Sequence, residues 1–126
     1  MIMGIEHIAI CSADTVRLKD WYIKMFAFQA VYDNGKGNFF LKTIEGDMIE
    51  FIKTDDVIGV PGEKACGLRH LALTVDNFEE MVQELLAKKV EVVTAANVSP
   101  EGNKTFFFRD PDGNLLHLIY RPKPLN

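Results

Sequence analysis

The sequence predicts an α+β fold made of two tandem βαβββ modules, and three observations predict it. Strand-like and helix-like hydrophobic periods follow the order strand, helix, three strands, and that order then returns. The two halves also align at both ends. Glu6-His7-Ile8-Ala9-Ile10 matches Arg69-His70-Leu71-Ala72-Leu73 at an offset of 63, and Gly46 to Ile52 matches Gly113 to Ile119 at an offset of 67. Finally, turn residues fall where the pattern needs them, as Asn34-Gly35-Lys36-Gly37, Glu45-Gly46-Asp47 and Asp110-Pro111-Asp112-Gly113-Asn114. Internal repetition fixes architecture early, and the four-residue difference between the offsets fits one longer loop in the second half.

Each element has a local reason. Met3 to Cys11 is an apolar run closed by Ser12 and Asp14 and reads as a strand. Asp14 to Met25 carries Val16, Trp21, Tyr22 and Met25 at mixed three-and-four spacings and reads as a helix, with Ser12 or Asp14 near its N-cap. Strands are expected at Gln29 to Asp33, Asn38 to Thr43 and Met48 to Lys53. Asp55 to Gly67, with Pro61, three glycines and several charges, reads as a linker. In the second half, Leu68 to Val75 is a strand and Asn77 to Lys88 a helix whose apolar stripe is Phe78, Met81, Val82, Leu85 and Leu86. Glu79 and Glu80 in its first turn and Lys88 and Lys89 at its end suit the helix dipole. Val90 to Thr94, Lys104 to Arg109 and Leu115 to Tyr120 are strands, with a loop over Asn97 to Asn103. The chain is expected to be a single domain, with modules at about 1–54 and 67–121 and a linker at 55–66.

Composition narrows the function. The 126 residues are 48% hydrophobic and 25% charged, with a net charge of −4. Those fractions suit a globular chain able to bury a core. The mild acidity argues against a nucleic-acid partner, which needs clustered Lys and Arg. No apolar run approaches the roughly 20 residues of a membrane span. Met1 to Ser12 lacks a basic lead and does not read as a signal peptide. Two cysteines, Cys11 and Cys66, without metal-type spacing, suit free thiols in a reducing cytoplasm.

The two-residue period of strands then sorts the chemistry. His7 shares a face with Ile5, Ala9 and Cys11; Glu50 lies with Met48 and Ile52; His70 lies with Leu68, Ala72 and Thr74; His117 lies with Leu115 and Ile119. Both faces of these four strands are largely apolar, which predicts burial on both sides. The chain's three histidines therefore occupy repeat-equivalent positions, and the fourth such position is Glu50. A lone strand histidine is ordinarily a hydrogen-bonded core residue, and a lone strand Glu ordinarily faces solvent. The repeat equivalence instead favours a divalent cation held by His7, Glu50, His70 and His117, because an ionised carboxylate in an apolar interior is costly unless paired or metal-bound. No phosphate-cradling glycine pattern and no serine-based triad are present. Phe106 to Phe108 reads as core and cavity wall.

These residues resemble the vicinal oxygen chelate superfamily, which includes glyoxalase I, methylmalonyl-CoA epimerase, extradiol dioxygenases, fosfomycin-modifying enzymes and bleomycin-binding proteins. The carriers are Ile5 to Ile10, Trp21-Tyr22, Gly67 to Leu73 and Phe107 to Asn114, in that order along nearly the whole chain. The resemblance implies cupped, half-open mixed sheets. It also implies ligand positions on the first and last strand of each module, falling here on His7, Glu50, His70 and His117, and a homodimer. The implied function is a metal-dependent lyase or isomerase of the glyoxalase type, acting on a small oxygen-chelating substrate of carbonyl or thiohemiacetal type. Glu50 is the catalytic carboxylate in that reading, and Zn, Ni, Co, Mn or Fe(II) is the cofactor. Alternatives are an iron(II) extradiol-type dioxygenase and a metal-free, bleomycin-resistance-like drug binder. Enzymes similar to glyoxalase I commonly carry Glu at the position of His117, and Phe26-Ala27-Phe28 replaces the frequent Leu-Gly-Phe.

Overall fold

A computed structural model describes residues 1–126. The chain forms two compact units, Met1–Ile58 and Gly59–Asn126, and the division falls inside the expected linker. Each unit is a four-stranded mixed sheet with one helix. In the first, the elements are β1 (His7–Ser12), α1 (Thr15–Phe26), β2 (Gln29–Asp33), β3 (Phe39–Lys42) and β4 (Met48–Lys53). In the second they are β5 (Leu71–Thr74), α2 (Phe78–Ala87), β6 (Glu91–Val98), β7 (Lys104–Arg109) and β8 (Leu115–Tyr120). The sheet orders are β1-β4-β3-β2 and β5-β8-β7-β6. The repeat seen in the sequence is thus a repeat of topology. In each unit the first and last strands pair in parallel, and the remaining pairs are antiparallel.

Helix starts follow the side chains. Asp14 accepts from the Arg17 N–H at 3.0 Å, and Asn77 accepts from the Glu80 N–H at 3.3 Å, each satisfying a donor with no partner inside its helix. Asn77 also donates to the Glu80 carboxylate at 2.6 Å, closing the cap from both sides. Leu18, Tyr22 and Met25 of α1 bury against its sheet with Leu41, Ile49 and Phe51. Phe78, Val82 and Leu85 of α2 bury with Phe106, Phe108, Leu116 and Leu118 in the second unit. Leu86 belongs to the predicted stripe but is exposed, because it lies toward the stripe's edge.

The first helix ends on Ala27 in the left-handed conformation, φ 57° and ψ 31°, its N–H bonded to the Ile23 carbonyl. A Cβ there costs roughly 1–2 kcal/mol, and glycine's extra unfolded-state entropy offsets part of the gain from removing it. Ala27→Gly is expected to raise the unfolding free energy by about 0.5 kcal/mol. A urea midpoint that falls without a change in slope would contradict this.

The structure corrects several expectations. The Asn34-Gly35 pair is expected to turn the β2–β3 hairpin because Asn-Gly suits positive φ, but the left-handed residues are Gly35 and Gly37, and Asn34 instead folds back, accepting from the N–H groups of Lys36 and Asn38. β6 runs on to Val98, past the expected end at Thr94, because irregular pairing with β7 keeps its backbone engaged; the loop shrinks to residues 99–103. β1 and β5 begin later than the apolar runs suggested. His7 opens β1 rather than lying mid-strand, and His70 stands one residue before β5. Nor are all four first and last strands buried on both faces. β1 and β5 are edge strands with a single neighbour each and are largely open, whereas the interior strand β8 buries Leu115 to Leu118 without a break.

Candidate metal centre

Register brings the predicted donors together two by two. In the first unit Ala9 lies opposite Glu50, so His7, two residues back on β1, shares the Glu50 face of the sheet. His7 Nε2 stands 3.5 Å from Glu50 Oε1. Phe40 of β3 pairs with Glu50 on the other side, and its ring meets His7 edge-on at 5.1 Å. The Glu50 side chain is only one-fifth exposed, so its charge is partly desolvated.

The second unit repeats this plan. Ala72 lies opposite His117, which brings the His70 and His117 rings edge to face at 4.5 Å. Phe107, paired with His117 on β7, stacks on the His117 ring at 4.3 Å with an interplanar angle of 5°. The Arg69 guanidinium lies 5.6 Å from the Phe107 centroid, and its Nε donates to the Glu63 carbonyl at 2.9 Å. Glu63 also takes Arg109 Nη2 at 2.9 Å, so the segment before β5 is pinned to β7.

Electrostatics distinguishes the two histidines of this pair. Burial, and secondarily the His70 charge, pull His117 down to about 4. Burial and the adjacent Arg69 also lower His70. His117 is 7% exposed, and its Nδ1 is buried with no hydrogen-bond partner. A buried, neutral imidazole with an unsatisfied nitrogen is an unfavourable side chain for folding and a suitable one for a cation.

Each unit thus supplies a pair of donors, and no group of three or more His, Cys, Asp or Glu side chains gathers at one point. The residues present suit a first-row divalent ion on two grounds. The donor types are imidazole and carboxylate, and the orphaned Nδ1 of His117 gains a partner only from something the chain does not itself provide. Cys11 and Cys66 are unpaired and exposed. No helix is long and apolar enough to cross a membrane.

Periodicity did not reveal Phe40, Phe107, Glu6 or Arg69 as neighbours of the site. Repetition could have found the first two, since they lie at the same 67-residue offset as Glu50 and His117.

Residues 4–118 match the model of the glyoxalase/bleomycin resistance protein/dioxygenase superfamily. The chain belongs to that superfamily. The resemblance read from the sequence is borne out, as is the α+β fold of two four-stranded mixed sheets with two helices, the two-module vicinal oxygen chelate arrangement. Among superfamily relatives, the uncharacterized protein YaeR of Escherichia coli K12 is 35% identical over 90% of this chain and 93% of its own length. The uncharacterized protein YwkD of Bacillus subtilis 168 is 33% identical over 94% and 97%. A solved glyoxalase family protein from Enterococcus faecalis is 29% identical, with a TM-score of 0.77 over 93% of this chain and 97% of its own.

Proposed function

We propose that this protein is a metal-dependent lyase or isomerase of the glyoxalase type, with His7, Glu50, His70 and His117 as its metal-ligating residues. The superfamily's name spans glyoxalases, bleomycin resistance proteins and dioxygenases. The observation that favours a metal enzyme is the buried, unpartnered Nδ1 of His117 beside His70. The bound ion would supply Lewis acidity to two oxygens of a small carbonyl or thiohemiacetal substrate. Glu50 would take the proton beside the carbonyl. Its carboxylate is largely shielded from water and lies on the same face of the sheet as His7. Phe40 and Phe107 would wall the donors with apolar surface and keep water from the developing charge. We further propose that the working form is a homodimer in the cytoplasm.

The test is elemental analysis after anaerobic purification, combined with an isomerisation assay on 2-oxoaldehyde–thiol adducts. One equivalent of Zn, Ni, Co, Mn or Fe per chain is expected, with turnover that disappears on chelation and returns with the metal. A chain that purifies without metal and takes up none on dialysis would refute the enzyme and favour a binding protein. Oxygen uptake with a catechol, seen only when iron is loaded, would assign the dioxygenase class instead.

A further inference from the structure

The duplication places Glu6 and Arg69 at equivalent positions, each immediately before a candidate ligand histidine. Both side chains turn back onto the ring that follows. Glu6 Oε1 lies 2.6 Å from His7 Nδ1, and Arg69 Nη1 lies 3.3 Å from His70 Nδ1. Alternation along a strand would put neighbouring side chains on opposite faces. Here it does not apply, because β1 begins at His7 and β5 only at Leu71, leaving Glu6 and Arg69 outside the pleat.

The two contacts have opposite chemical sense. A carboxylate only accepts, so the His7 nitrogen facing Glu6 must carry the proton. Glu50 also faces the ring, at Nε2, but at 3.5 Å against 2.6 Å for Glu6, so the shorter contact keeps the proton of a neutral His7 on Nδ1 and leaves the lone pair on Nε2. A guanidinium only donates, so the His70 nitrogen facing Arg69 must be the bare one, and the proton of that ring lies on Nε2. We propose that Glu6 and Arg69 are positioning residues that prepare the two repeat-equivalent histidines oppositely. Glu6 holds His7 ready to bind a cation through Nε2, whereas Arg69 occupies the lone pair of His70, which becomes a ligand only when Arg69 withdraws. His7 presents its lone pair without rearrangement and His70 only after Arg69 leaves, so His7 is the firm ligand and His70 the labile one. The assignment of tautomers stands on the hydrogen bonds alone; its consequence for metal binding rests on the metal-centre reading above.

The experiment has two arms on the intact chain. Long-range ¹H–¹⁵N correlation of the metal-free protein at pH 8.5, above the ordinary imidazole range, reads the tautomers. We expect His7 protonated on Nδ1 and His70 on Nε2. Glu6→Leu should move His7 toward Nε2–H, and Arg69→Leu should release His70 from a single tautomer. A merely structural role for either residue would leave those spectra unchanged. His7 protonated on Nε2 or on both nitrogens, or a His7 spectrum indifferent to Glu6→Leu, would overturn the inference. In the second arm, zinc affinity is measured by competition with a chromophoric chelator. Loss of an outer-shell partner typically costs 10–100-fold, so Glu6→Leu should weaken zinc at least about tenfold. Arg69→Leu should tighten it several-fold. Equal changes in the same direction would overturn the opposite roles. Failure of the unaltered chain to bind zinc would refute the metal centre while the tautomer arm still decides the inference.

Discussion

His117→Leu is expected to abolish metal binding and at the same time to stabilise the metal-free protein in acid. The sign follows from linkage. His117 is held down to about 4 in the folded chain, against 6.5 for an unperturbed histidine. Between those two values the unfolded chain binds a proton that the folded chain does not. Stability is therefore fully present above pH 6.5 and is lost as pH falls toward 4. The loss attributable to this residue is on the order of 3 kcal/mol. Leucine has nothing to titrate, leaves no orphaned nitrogen, and stands where Leu115, Leu116 and Leu118 already pack. Urea unfolding of both proteins at pH 7.5 and pH 4.5 isolates the effect, since carboxylate titration is common to both. The acid loss should be smaller in the variant by on the order of 2 kcal/mol, and the variant should hold no stoichiometric metal. Equal pH slopes would contradict the buried, neutral ring; full metal occupancy would remove His117 from the ligand set.

The second large effect concerns the turn that delivers β8. Asp110 is 4% exposed, and its carboxylate organises the whole connection. Oδ1 accepts from the N–H groups of Asp112 and Asn114, both at 2.9 Å, and Oδ2 accepts from the Asn114 side chain at 2.8 Å. The Asp110 N–H and carbonyl bond Asn114 and Gly113 in turn, with Gly113 at φ 91°. Arg109 closes the outside of the turn on the Gly113 carbonyl at 2.9 Å. Asp110→Ala leaves three part-buried donors without their acceptor and removes charge-assisted bonds, each worth about 1.5–3 kcal/mol. We expect a loss of about 3 kcal/mol or more. Asp110→Asn retains acceptor capacity toward the backbone donors and should lose about 1 kcal/mol. Chemical denaturation measures both. An alanine variant within 1 kcal/mol of the parent would show that solvent replaces these bonds without cost.

The late starts of β1 and β5 share one cause. Apolar residues at Ile5 and Leu68 extended the predicted first strands, but a strand exists only where a neighbour supplies its hydrogen bonds. β4 and β8 offer partners from His7 and from Leu71 onward. The same fact leaves Glu6 and Arg69 free to turn onto the histidines beside them. No period or spacing encodes that, since alternation predicts the reverse.

By itself the sequence determined the order of elements, the doubled topology, where the two helices start and the identity of the four candidate donors. All of these are written in local signals: capping oxygens, hydrophobic period, turn residues and self-similarity between the halves. Only the tertiary structure decided which donors adjoin, that His117 is sealed while His7 stays open, and that Phe107 lies flat on one imidazole while Phe40 meets the other by its edge. Those are matters of strand register and of how many neighbours each strand has. Both depend on residues far apart in the chain, whose approach no short stretch of sequence describes.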